Sequence, residues 1–258
     1  MSVWTIVVAA GSGARFGGLK QFEKLGSGRV VDWSIRTALR ASDGVVVVLP
    51  ASVRHGEAEA GFQFVDPTGE MPQWLVGGPS LVIDPCQLDE NSMREIATLP
   101  LATRRWQPVL TIGGVTRTES VRNGLMVVPP AATTILVHDG ARPFATEVLF
   151  KAAIAAVEAG ADGVVPGVAV TDTIKQVDES GCIVATVDRS ALRAVQTPQA
   201  FRASILRSAY AGGSDATDDA STVEAAGGRV IVIDGEEANR KITTPADLVW
   251  ARQRVESK

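Results

Sequence analysis

Short aliphatic runs alternate with stretches of helical period along this 258-residue chain. Residues 3–8, 45–49, 109–112, 135–137, 163–165 and 230–233 are nearly continuously apolar instead of alternating with polar positions. Strands of that kind are covered on both faces. They predict an α/β fold: a mostly parallel, twisted sheet with helices on both faces. Several helix starts are legible. Thr116 with Glu119 forms a capping box ahead of Val121 and Leu125. Thr244-Pro245 places an N-cap before a first-turn proline and opens a C-terminal helix through Leu248 and Arg252. Thr217-Asp218-Asp219 is a third candidate start, its aspartates favoured by the helix dipole.

Two regions leave this rhythm. Residues 168–187 turn to period two around Ser180-Gly181, which predicts a protruding two-stranded arm over 168–188. Residues 67–108 are proline-rich and aperiodic, and are expected to form an extra surface insertion. With no internal repeat and no linker, 1–258 reads as a single domain.

Composition narrows the class. Hydrophobic residues make up 45% of the chain, enough for a core without disulfide staples. Cys86 and Cys182 lie far apart in no metal-ligand spacing, which suits reduced thiols of a cytoplasmic protein. The first residues run into an apolar strand without a basic leader or a membrane-length stretch, so no export and no membrane association are expected. A net charge of −4 provides no general field for nucleic acid. Any cations that hold a polyanion must be gathered locally.

The first strand ends in Ala9-Ala10-Gly11-Ser12-Gly13-Ala14-Arg15, with Lys20-Gln21 beginning five residues beyond. Glycines let the backbone turn and expose successive N–H groups, a cradle for phosphate oxygens, and the two cations Arg15 and Lys20 stand at its mouth. The loop fits neither the Walker pattern nor the dinucleotide fingerprint. On its own it is a weak signal that reads more readily as a tight turn with two solvated cations.

Further blocks follow in order. They are Gly113-Gly114-Val115-Thr116-Arg117 with Ser120-Val121, His138-Asp139-Gly140-Ala141-Arg142-Pro143, Asp172-Thr173-Ile174-Lys175, Arg189, Gln196-Thr197-Pro198-Gln199, Thr217-Asp218-Asp219-Ala220 and Asn239-Arg240-Lys241-Ile242-Thr243-Thr244-Pro245. Together with the glycine loop they resemble the 2-C-methyl-D-erythritol 4-phosphate cytidylyltransferase family over nearly the whole chain except 67–108. Gly140 stands where that family usually has alanine, and the segment from Arg15 to Lys20 is shorter than in many members.

The resemblance implies a Rossmann-like nucleotidyltransferase fold. It also implies transfer of a cytidylyl group from CTP to 2-C-methyl-D-erythritol 4-phosphate, with Mg²⁺, in a cytoplasmic homodimer joined through the 168–188 arm. By the same resemblance Ala9, Ala10, Gly11, Ser12, Gly13, Gly114, Arg117, Ser120 and Asp139 take the nucleotide, and Asp139 lies near the metal. Arg142, Thr173, Thr197 and Thr217 hold the second substrate, and Arg15, Lys20, Arg189 and Lys241 serve catalysis. A phosphate monoester is largely anionic near neutral pH, its second pKa being about 6, so the reaction needs alignment and charge relief more than a general base. Of the two histidines, His55 lies in a polar stretch and His138 at a strand end, where a structural role is expected. Lys175 reads as a solvated arm charge, and Thr217 reads equally as an N-cap. Ribitol 5-phosphate remains an alternative acceptor, and a non-catalytic nucleotide-binding regulatory subunit an alternative class.

Overall fold

A computed structural model of the chain describes residues 1–51, 82–83, 108–212 and 218–257. Nearly all of the 67–108 insertion, together with His55, Cys86 and Thr217, lies outside the described residues. In chain order the first elements are β1 (Val3–Val8), β2 (Lys24–Leu25), β3 (Gly28–Arg29), α1 (Val30–Ala41), β4 (Gly44–Leu49), β5 (Val82–Ile83) and β6 (Val109–Ile112). The middle of the chain forms α2 (Arg117–Val127), β7 (Thr134–Asp139), α3 (Glu147–Glu158), β8 (Gly163–Ala169), β9 (Ile174–Val177), β10 (Ile183–Val187), β11 (Arg193–Val195) and β12 (Gln199–Arg202). Last come α4 (Ala203–Ala211), α5 (Asp219–Ala225), β13 (Val230–Asp234) and α6 (Pro245–Glu256).

The main sheet runs β13–β8–β12–β7–β1–β4–β6–β5. Pairs β7–β1, β1–β4, β4–β6, β6–β5 and β8–β13 are parallel. β12 alone is wedged antiparallel between β7 and β8. β11 pairs antiparallel with the far end of β8, on the side opposite β13. The bend between β11 and β12 contains a cis Thr197–Pro198 peptide.

The continuous apolar runs are explained by two cores. Val3 and Val7 of β1 face the core beneath α1 and α3, with Ile35, Leu39 and Phe150. Trp4 and Ile6 face the other core, with Val121, Leu125, Phe201 and Leu206. Successive side chains of a strand point to opposite faces, so a strand between two cores needs apolar residues at nearly every position, and the buried Thr5 is accepted because its hydroxyl bonds Ser42 at 2.6 Å. Phe150 is fully buried, and its replacement by alanine would cost about 3–5 kcal/mol. A third, smaller cluster of Leu25, Val30, Ile242, Leu248 and Ala251 seats α6 and the segment before it.

The helix starts follow the sequence pattern, with one shift. Thr116 Oγ1 accepts from the Glu119 backbone N–H at 3.1 Å, and the Glu119 carboxylate reaches back to the Thr116 N–H. Thr244 and Asp247 form the same box ahead of α6, with Pro245 in the first turn. The cap of α5 is Asp218, whose carboxylate accepts from the Ser221 N–H at 2.9 Å. The arm is β9 paired with β10, separate from the main sheet, and Val168 belongs instead to β8. Among the described residues no helix is long and apolar enough to cross a membrane.

Candidate active site

Parallel strands end together, so the loops that leave them gather at one edge of the sheet. There a cavity of about 510 Å³ opens between the loop after β1, the loop after β6, the end of β7 and Lys241. The glycine loop is folded tightly. Gly13 has φ +69°, and a Cβ there would lie 1.8 Å from the Gly18 carbonyl oxygen, so only glycine fits. Gln21 holds the loop from beneath. Its side-chain amide donates to the carbonyls of Ala9 at 2.7 Å and Gly11 at 3.0 Å.

The opposite wall is built on the start of α2. Ser120 is buried, donates to the Thr116 carbonyl at 2.9 Å, and accepts from the Gly114 N–H at 3.2 Å. A Cβ on Gly114 would meet Glu119 Cβ at 2.2 Å, so the backbone approaches the helix as only glycine allows. Val115, almost wholly exposed, forms the rim.

Asp139 is the single carboxylate on the cavity wall among the described residues. Lys241 Nζ lies 2.9 Å and Arg142 Nε 3.3 Å from its Oδ2, while Arg117 Nε lies 3.9 Å from Oδ1. Burial alone would raise its pKa, but Lys241, Arg117 and Arg142 together hold it far below the usual carboxylate range. It is therefore ionised at any working pH. Lys20 is shifted down, first by partial burial and then by Lys241 and Arg15 beside it. The cations crowd one another, as expected of a site that awaits a polyanion. Lys241 is delivered by its neighbour: Ile242 is fully buried in the third cluster, and its N–H donates to the Ala141 carbonyl at 2.8 Å.

Among the residues expected from sequence, Ala9, Ala10, Gly11, Ser12, Gly13, Arg15, Lys20, Gly114, Arg117, Ser120, Asp139 and Lys241 converge on this cavity. Arg142 and Thr197 support it from behind. Arg142 Nη1 donates to the Asn239 carbonyl at 2.8 Å, and Thr197 Oγ1 accepts from the Asp139 N–H at 2.9 Å. Thr173 and Arg189 are exposed at the arm, away from the cavity, and Arg189 donates to the Thr171 carbonyl. Lys175 is exposed on the arm and bonds Thr186. His138 has no exposed surface. Its Nδ1 lies 3.0 Å from the Thr197 hydroxyl, its Nε2 3.2 Å from the Arg142 carbonyl, and Phe150 packs edge-on against its ring. Burial, above all, lowers its pKa to about 4.

Sequence reasoning named no site role for Gln21, Asn239, Asp219 or Tyr210. Asn239 is fully buried and donates to the Thr197 carbonyl at 2.8 Å. The first three stand within the motif blocks, which was the available signal, whereas Tyr210 lies in an unremarked helix. Among the described residues no group of three or more His, Cys, Asp or Glu side chains could hold a metal. Mg²⁺, however, usually takes one or two carboxylates together with substrate phosphates and water. Asp139 fits that pattern, because it is the single carboxylate on the cavity wall among the described residues and is held ionised.

Comparison with known proteins agrees with this geometry. The bifunctional enzyme IspD/IspF of Solidesulfovibrio magneticus is 39% identical over 96% of this chain and 56% of its own length. The 2-C-methyl-D-erythritol 4-phosphate cytidylyltransferase of Saccharopolyspora erythraea is 51% identical over 54% of this chain and 64% of its own. The chain thus covers somewhat more than half the length of these curated relatives. The crystal structure of the enzyme of that name from Thermus thermophilus superposes with a TM-score of 0.69 at 29% identity, covering 99% of this chain and 100% of that one. The family profile described as IspD, 2-C-methyl-D-erythritol 4-phosphate cytidylyltransferase, matches residues 83–257. With most of its length inside that match, the chain belongs to the 2-C-methyl-D-erythritol 4-phosphate cytidylyltransferase family.

Proposed function

We propose that this protein transfers a cytidylyl group from CTP to 2-C-methyl-D-erythritol 4-phosphate, giving 4-diphosphocytidyl-2-C-methylerythritol and pyrophosphate in the non-mevalonate isoprenoid pathway. The observation that carries the reading is a cavity of about 510 Å³ lined by the glycine loop, Arg15, Lys20, Lys241 and a single ionised carboxylate, Asp139, with no imidazole on its wall among the described residues. An acceptor phosphate oxygen would attack the α-phosphorus of CTP, forming one P–O bond as the bond to the departing pyrophosphate breaks. The nucleophile arrives ionised, so His138, turned inward and held neutral, has no proton to take.

In this reading the loop N–H groups and Lys20 hold the triphosphate, and Arg15 grips it with two donors. Backbone groups beside Gly114 would read the cytosine edge. Lys241 and Arg189 would steer the acceptor phosphate, and Thr173 and Thr217 would hold its polyol. Asp139 would hold Mg²⁺, and the bound ion would lessen repulsion among phosphate oxygens. The arm supports a homodimer: Val177, Ile183 and Val184 are 54%, 62% and 57% exposed, too apolar for a free ribbon. The exposed free thiol of Cys182 suits a reducing, cytoplasmic setting.

The test is pyrophosphate release from CTP with 2-C-methyl-D-erythritol 4-phosphate and, separately, ribitol 5-phosphate. Turnover with the first alone is expected. Preference for ribitol 5-phosphate would reassign the acceptor, and CTP binding without any turnover would make the chain a nucleotide-binding subunit.

A further inference from the structure

Behind the nucleotide wall, three side chains from three helices form one hydrogen-bonded chain. Arg117, the first residue of α2, donates through Nη2 to Oδ2 of Asp219 at 2.6 Å. Asp219, the first residue of α5, has no exposed surface, and its Oδ1 accepts the phenolic O–H of Tyr210 from α4 at 2.5 Å. Each carboxylate oxygen thus has its own strong donor, and rotation of the group about its bond would lose both. Burial first, then the Asp219 charge and the hydrogen bond to it, pushes the Tyr210 phenol well above its ordinary range.

Arg117 stands between two carboxylates. Asp219 grips it at 2.6 Å, while Asp139, on the cavity, lies 3.9 Å from its Nε. A guanidinium free to choose would close bidentate on a carboxylate such as Asp139 beside it. That closure would take a donor from the cavity and cover part of the one carboxylate described on its wall. Asp219 prevents this by pulling the guanidinium back, and Tyr210 keeps Asp219 aimed.

We propose that Asp219 and Tyr210 are positioning residues for nucleotide binding: they hold the Arg117 guanidinium on the cavity wall and off Asp139. This rests on the reading of the cavity as a CTP site. The test takes Asp219→Asn and Tyr210→Phe, each alone and combined with Arg117→Ala, in the full chain. Calorimetric CTP binding is measured beside kcat and KM for pyrophosphate release. Asp219→Asn should weaken CTP binding and raise its KM about tenfold, and Tyr210→Phe about threefold, with kcat moving by less than either. In the Arg117→Ala background neither change should weaken CTP binding further, since the residue they position is gone. The chain has one tyrosine, so its phenolate absorbance is a direct probe. It should resist alkaline titration in the wild type and titrate earlier in Asp219→Asn.

Effects that multiply in the Arg117→Ala background, or a loss of melting temperature with CTP binding unchanged, would overturn the proposal. Should Asp219→Asn fail to fold, Tyr210→Phe removes a single oxygen and decides alone by the same criteria. A wild type that binds CTP but releases no pyrophosphate refutes the transferase reading and leaves the positioning test standing. A wild type that binds no CTP overturns both.

Discussion

The Thr197 hydroxyl lies 3.0 Å from Nδ1 of His138 and accepts from the Asp139 N–H at 2.9 Å, so one oxygen joins a buried imidazole to the strand end that bears the cavity carboxylate. Nε2 of His138 faces the Arg142 carbonyl, which can only accept, so the proton sits on Nε2 and Nδ1 accepts from Thr197.

That arrangement fixes a pH dependence. The folded protein holds His138 near 4 against an ordinary 6.5, so it prefers the neutral ring. Where the folded pKa is depressed, the contribution to stability is complete above the unfolded pKa and declines as pH falls toward the folded one. Between pH 7 and pH 5 the wild type should lose about 2 kcal/mol through this group. Urea unfolding at the two pH values checks it: a His138→Gln variant should be less stable at pH 7 and should show a smaller drop on acidification.

Removing the loop cations should damage the chemistry and spare the fold. Arg15→Ala and Lys20→Ala are each expected to lower kcat by about 10²-fold, because their charge is felt most as negative charge gathers on the departing pyrophosphate. Melting temperature should hardly move. Since Lys20 loses its proton more readily than an ordinary lysine, kcat/KM should also fall on the alkaline side, and Lys20→Arg should abolish that limb. A variant that altered only KM for the acceptor would take its residue out of the transition state.

Gln21 is almost wholly buried at the cavity floor and fastens the glycine loop at two carbonyls. Gln21→Leu should cost about 2 kcal/mol of stability and weaken CTP binding more than it lowers kcat. Denaturant unfolding and a CTP titration give the two numbers. A neutral result in both would mean that the loop holds its shape through Gly13 and its own turn.

The arm predicts complementation between subunits. Arg189 is exposed beyond the arm in a single chain and could serve a partner's cavity. Mixing inactive Arg189→Ala with inactive Lys20→Ala should restore about a quarter of wild-type activity if subunits exchange at random, since half the dimers are hybrid and each hybrid has one intact site. Hybrids that form without any recovery would confine Arg189 to its own subunit.

The runs that became β1 and β6 were readable to the residue, because a strand between two cores is apolar or β-branched at nearly every position, Thr5 and Thr111 being the polar exceptions. β12 was not readable: Gln199–Arg202 is four residues with two polar ends, and only its neighbours β7 and β8 make it a strand. The glycine loop, Arg117 and Asp139 were legible as motifs, and the common ending of parallel strands brings them together. Lys241 was also named from its motif block, but what carries it to the site was not legible. It reaches the cavity because Ile242 is buried under α6, a tertiary fact with no local signature. Tyr210 was invisible for the same reason: a single aromatic residue in a short amphipathic helix reads as core, and its hydroxyl partner lies across a helix boundary.

The wedge of β12 between β7 and β8 also constrains the order of assembly during synthesis. β1, β4, β6 and β7 can pair while the chain is still emerging, yet the free side of β7 stays open until residues 199–202 leave the ribosome. An unpaired central strand is a template for other chains. Nascent chains arrested just short of that point should be prone to self-association, and those arrested beyond the end of β12 should be protected. A vulnerable moment in this protein's synthesis is therefore set by four residues outside the cavity lining.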